Sequence, residues 1–174
     1  KESEWTRLAL VTWIRAEPKT KFGASFSEYV QRNISGVSDA LEAIIGDARS
    51  GASLRHEAMS NWSEIYEMDV RKRYLKDPNV LAIGKEVGTV VPVGDLVRKG
   101  ELQLNEETRT SLAPTEQKIL ANARLLGGIA SDSNEPAYLR KHARRVLEGY
   151  QRLPLQRVGE IDAVVKTLDS AGKP

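Results

Sequence analysis

The chain has two histidines, His56 and His142, and no cysteine. Acid–base, nucleophilic or metal chemistry would therefore rest on these imidazoles together with carboxylates and hydroxyls. A zinc helix of the two-histidine kind needs imidazoles one turn apart and a glutamate beside the metal-bound water. His56-Glu57-Ala58-Met59-Ser60 supplies the first half and places a serine where the second imidazole belongs. Neither a metal site nor a cofactor is expected. Gly84-Lys85 is followed by Glu86 and lacks the spaced upstream glycine of a phosphate-cradling loop. No Gly-x-Ser-x-Gly elbow offers either histidine a nucleophile to activate. Glu57, Glu64 and Asp69 fall in one stretch of helical pattern, but a catalytic carboxylate pair is defined by its separation across a cleft, which spacing along one helix does not set.

The sharpest local feature is basic. Arg140, Lys141, Arg144 and Arg145 crowd around His142, with Arg152 and Arg157 following. Cations gathered on one helix can neutralise phosphates or meet an acidic protein surface. Tyr138 and Tyr150 are the nearby aromatics, and Tyr150 is expected to point inward. Leu153-Pro154-Leu155-Gln156-Arg157-Val158-Gly159 is similar in outline to a DNA-gripping helix-hairpin-helix turn, but it lacks the first hairpin glycine and its spacing differs. It reads as an ordinary turn between helices. Trp5, Trp13 and Trp62 are candidate core anchors, and any that stayed exposed would be candidate protein contacts because of their large contact area.

The 174 residues are enough to bury a core without disulfides or metal. With 26 basic and 24 acidic side chains the formal charge is only +2, so attraction to a phosphate polymer or an anionic membrane would have to come from a local patch. Leu8 to Val11 is as long as an apolar run gets, far short of the roughly 20 residues that span a bilayer. No secretory leader opens the chain, and the absence of cysteine is compatible with a reducing, cytoplasmic setting. The first residue is Lys1 rather than methionine, as expected of numbering that starts inside a longer protein.

These residues must be positioned by helices. Ser3 to Ile14 is apolar around most of its circumference, which suits burial or a subunit contact. Ser25 or Ser27 can cap a short helix carrying Phe26, Tyr29, Val30 and Ile34, with Gly36 expected to end it. Val37, Leu41, Ile44, Ile45 and Ala48 recur at steps of three and four before Ser50-Gly51, the clearest amphipathic pattern in the chain. A long helix is predicted from about Ser53 to Leu75, ended by Asp77-Pro78, with Asp69 and Arg73 spaced to pair along it. Thr89 to Val93 and Glu101 to Leu104 carry the alternation of a small β-hairpin within a glycine-punctuated segment. Pro114 is expected to open a helix that runs to Leu126 and breaks at Gly127-Gly128. The next helix, about Glu135 to Arg152, turns Leu139, Ala143, Val146, Leu147 and Tyr150 inward and a mostly basic face outward. A last helix carries Val158, Ile161, Val165 and Leu168.

The fold class that follows is mainly α: an irregular bundle of six or seven helices with an optional hairpin around residues 89–104. One helical domain over residues 1–174 is expected. Residues 1–78 and 111–174 would pack together, with 79–110 as a connector or arm, and a two-lobed arrangement is the alternative. The leading functional expectation is a non-enzymatic protein-interaction or assembly module whose partner is another protein or a second copy. The alternative is a nucleic-acid-binding module using the basic helix around residues 140–145. The third is a hydrolase in which His56 meets Glu57 or Glu64 in a cleft.

Overall fold

Ser38, Leu41, Ile44 and Ile45 lie at helical steps of three and four, and all four are buried because that stripe packs against the next helix. A computed structural model describes residues 34–87 and 92–171. It contains seven helices and no strand among those residues: α1 Ile34–Gly46, α2 Ala52–Tyr74, α3 Pro78–Val87, α4 Val93–Arg98, α5 Glu106–Ser131, α6 Ala137–Tyr150 and α7 Val158–Ala171. The chain is mainly helical and builds a bundle, as its periodicity implies. The expected helices over residues 3–14 and 25–34 lie outside the described residues, apart from Ile34. Gly36 lies within α1.

α2 packs on α1, α5 and α6, while α5 also packs on α6 and α7. Burial on several sides of α2 follows from this, since Leu54, Ala58, Met59, Trp62, Ile65, Tyr66 and Val70 are all buried. Trp62 stacks on Tyr66 with ring centroids 4.0 Å apart. The polar tips of the buried tyrosines are satisfied, as burial requires: Tyr66 donates to Ser38 Oγ at 2.7 Å and Tyr150 to Asn122 Oδ1 at 3.2 Å.

Of the hairpin expected between α2 and α5, Thr89 to Val91 lie outside the described residues. Val93 begins a helix, and Glu101 to Leu104 pairs with no strand among the described residues. The alternation there is real, with Leu102 and Leu104 buried and Glu101 and Gln103 exposed. It is that of an extended segment laying its leucines on a helical core. α4 ends at Arg98 with Lys99 as its C-cap, and Gly100 follows with a φ of 73°, the left-handed conformation glycine adopts without strain.

Two corrections concern α5. Pro114 lies inside the helix instead of opening it. The start is fixed earlier by Asn105, whose side chain accepts from the Thr108 amide at 2.7 Å, and by Glu106 and Glu107 in the first turn. Gly127-Gly128 does not break the helix either. A Cβ on Gly127 would lie 2.6 Å from Val164 Cγ1, so this glycine lets α5 and α7 approach closely.

Candidate functional site

α6 has two faces with different tasks. Leu139, Ala143, Leu147 and Tyr150 are fully buried, and Val146 nearly so, which fixes the rotation of the helix. Tyr138, Lys141 and Arg145, at i, i+3 and i+7, then share the opposite side and are all exposed. Tyr138 is 50% exposed, an unusual degree for so large a ring. Arg152 is exposed just beyond the helix. Among the described residues, neither Lys141, Arg145 nor Arg152 forms an ion pair, although Glu148 interrupts the row.

Arg144 and Arg157 of the basic run are already engaged. Arg144 bonds Asp169 of α7 and reaches Glu148 at 3.4 Å. Arg157 donates through Nε to Glu160 at 2.6 Å, and its amide donates to Glu116 at 2.5 Å. Arg140 is half-buried, with a buried Nε that has no partner among the described residues. The six cations are thus a structural subset and an outward-facing subset. Trp62, expected as a candidate contact, is 0% exposed. Its indole is a core element, which removes it from the contact residues. Trp5 and Trp13 lie outside the described residues.

Beneath the Tyr138 end of α6, the fold joins the two histidines. His56 of α2 and His142 of α6 meet with ring centroids 3.8 Å apart and planes inclined by 34°. Ser60 Oγ lies 3.0 Å from His142 Nε2 and donates to the His56 carbonyl at 3.2 Å. One consistent proton chain runs from His142 Nε2–H to Ser60 Oγ–H to that carbonyl. Glu57 Oε1 stands 3.9 Å from His56 Nδ1, and Tyr138 is 6.3 Å from His56 between ring centroids. Ser60 therefore engages the second imidazole at the very position where a zinc helix would carry one of its own.

Among the described residues, no group of three or more potential ligands is placed to hold a metal ion. Glu64 lies eight residues beyond His56, about 12 Å along a helix, and does not join the pair. The sequence did not disclose the His56–His142 contact, because the two positions are brought together only by packing of α2 on α6. The one hint was the serine at the usual ligand position.

Comparison with known protein families, with characterised proteins and with solved structures finds no match. Among the described residues, no helix is long and apolar enough to cross a membrane.

Proposed function

We propose that this chain is a non-enzymatic helical protein-interaction module that receives an acidic protein surface on the outer face of α6. The observation that carries this reading is the exposed strip of Tyr138, Lys141 and Arg145, which has no acid partner among the described residues. A tyrosine supplies large contact area at little conformational cost, and flanking cations steer an acidic partner and set its register. Arg152 extends the same positive surface. A protein partner fits better than a phosphate polymer because Glu148 sits within the strip, Arg144 and Arg157 are engaged by acids of the chain itself, and the formal charge is only +2. Nucleic-acid affinity depends on neutralising many phosphates at once.

The test compares a glutamate-rich helical peptide with a short DNA duplex, each titrated into the protein at about 0.15 M salt, where distant charges are screened. The peptide is expected to bind more tightly than the duplex. The double reversal K141E/R145E should weaken peptide binding by about tenfold or more while leaving stability within about 0.5 kcal/mol, as exposed positions allow. Y138A should weaken it as well. Tighter binding of the duplex with a steep salt dependence would transfer the site to nucleic acid, and no binding of either probe would reject the strip as an interface.

A further inference from the structure

We propose that Glu42 makes the seat of α1 on α2 proton-operated: α1 is held less firmly while this carboxyl is charged and more firmly once it carries a proton. Glu42 is partly buried on α1, yet its Oε1 is fully enclosed and has no hydrogen-bond partner among the described residues. The enclosed Nε1 of Trp62, on α2, is likewise without a partner. The register of the two helices explains why these groups meet. Tyr66 donates to Ser38 Oγ at 2.7 Å, and one turn away, in opposite directions along the two chains, stand Trp62 and Glu42. The indole comes near enough to favour the charged form of Glu42 without closing a hydrogen bond. One polar pair in the α1–α2 contact is therefore complete and the next is not. An enclosed group that lacks its bond is costlier when it is charged.

The groups that face Glu42 determine the direction. The cation is Lys118 of α5, whose Nζ donates to Asp39 Oδ1 at 2.6 Å, so its charge is shared between two acids. Asp39, three residues earlier on α1, sets negative charge beside Glu42. Tyr66 of α2 and Tyr150 of α6 lie within the field of the carboxylate, and burial pushes both phenols up, so they remain neutral. Burial likewise pushes the Glu42 carboxyl up, while Lys118 and the Trp62 indole draw it down without cancelling the rise, to which Asp39 adds. With the folded value raised, the folded chain binds more protons than the unfolded chain between that value and the ordinary glutamate value of about 4.3. This contribution to stability therefore grows as pH falls through the folded value and is complete below the ordinary one. By the same linkage, anything that lifts α1 from α2 returns the carboxyl to its ordinary range and releases its proton.

The experiment compares the full chain with Glu42→Gln from about pH 7.5 to about pH 4.5, a window that lies above the ordinary glutamate value. Glutamine keeps the size of the side chain and an acceptor for the indole but carries no charge. Every other titrating group is common to both chains, so their difference isolates Glu42. By urea unfolding, the folding equilibrium constant of the variant should exceed that of the parent by about threefold or more at the neutral end, and the advantage should narrow as pH falls. Carbon-13 NMR of the side-chain carboxyls, with Glu42 identified by its absence from the variant, should give a titration midpoint above about 4.3. Amide exchange in α1, corrected for its intrinsic pH dependence, should show protection rising by about threefold or more toward acid in the parent and staying level in the variant. A variant no more stable than the parent at neutral pH would overturn the proposal. So would a Glu42 midpoint at or below the ordinary value, or protection of α1 in the parent that is indifferent to pH. If the variant fails to fold, the parent decides: a raised midpoint together with acid-strengthened α1 supports the proposal, and the failure of either rejects it. No partner takes part in these measurements, so the result is separate from that of the peptide titration.

Discussion

Asp77 is fully buried, yet its carboxylate is used at almost every point. Oδ1 accepts from the Asn79 amide at 2.8 Å and the Val80 amide at 3.4 Å, and Oδ2 accepts from the Asn105 amide at 2.8 Å. One side chain thereby caps α3 and holds the start of α5 against it. Burial alone would push its carboxyl up, but the Thr108 hydroxyl and the amides of Asn105, Asn79 and Val80 outweigh that and hold it below the usual carboxylate range. The sign of the pH dependence follows. With the folded value depressed, the unfolded chain binds more protons, so this contribution is complete above about pH 3.9 and is lost as pH falls through the lower folded value. Asp77→Ala should cost at least about 2 kcal/mol, since several buried donors lose their acceptor together. Asp77→Asn should flatten the fall in stability below about pH 4. Urea unfolding across that range measures both, and an Asp77→Asn acid limb parallel to that of the parent would show that the carboxylate's charge is unimportant.

At the scale of elements, α5 is the one whose limits the sequence misplaced, and its proline explains why. Proline costs about 3 kcal/mol inside a helix relative to alanine, so Pro114 reads most naturally as a first-turn residue. Three features allow α5 to run through it. Asn105 caps the helix nine residues earlier, Leu112 and Ile119 lie on a continuous buried stripe, and Arg73 of α2 donates to the Ser111 carbonyl at 2.9 Å in the turn crowded by the proline ring. The same guanidinium grips Asp69 at 2.9 and 3.1 Å, and Asp69 accepts from Thr115 Oγ1 at 2.6 Å. The four-residue spacing of Asp69 and Arg73 was legible as an ion pair along α2; its use as a clamp on α5 was not, because only tertiary packing brings Ser111 and Thr115 within reach. Gly127 was ambiguous for a similar reason, since a helix stop and a close helix crossing call for the same missing Cβ. If the clamp compensates for the proline, Arg73→Ala should cost less in a Pro114→Ala background than in the parent, by at least about 0.5 kcal/mol. A thermal-unfolding double-mutant cycle gives that difference, and additive effects would separate the clamp from the proline.

For the whole molecule, the stripes of α1, α6 and α7 were readable from spacing alone because each is one-sided, and a one-sided stripe needs a neighbour to cover it. What spacing leaves open is which helix that neighbour is. The extended run at Leu102 and Leu104 met helices where a strand partner was expected, and His56 met an imidazole 86 positions away. The outward cations could be named from the sequence, but their division into internally bonded and outward-facing sets depended on Asp169 and Glu160, both supplied by α7. Arg55 carries this long-range dependence furthest. It occupies the first turn of α2, where the helix dipole disfavours a cation, and it is 5% exposed at the side chain. Its Nε donates to the Ile45 carbonyl at the end of α1 at 2.9 Å, while its two terminal nitrogens each lie 2.7 Å from an oxygen of Glu135, in the link between α5 and α6. One guanidinium thus binds together three segments that no local pattern connects. Arg55→Ala should cost about 3–5 kcal/mol, because Glu135 is only 14% exposed and would remain a nearly buried charge without its partner. Arg55→Ala combined with Glu135→Gln should recover part of that loss by removing the stranded charge. Such a pair, unlike the exposed Lys118–Asp39 bridge, should also respond little to added salt. Denaturant midpoints for the single and double variants at low and high salt measure these effects together; a double variant no more stable than Arg55→Ala would mean that Arg55 acts through packing and the Ile45 carbonyl instead of through the charge of Glu135.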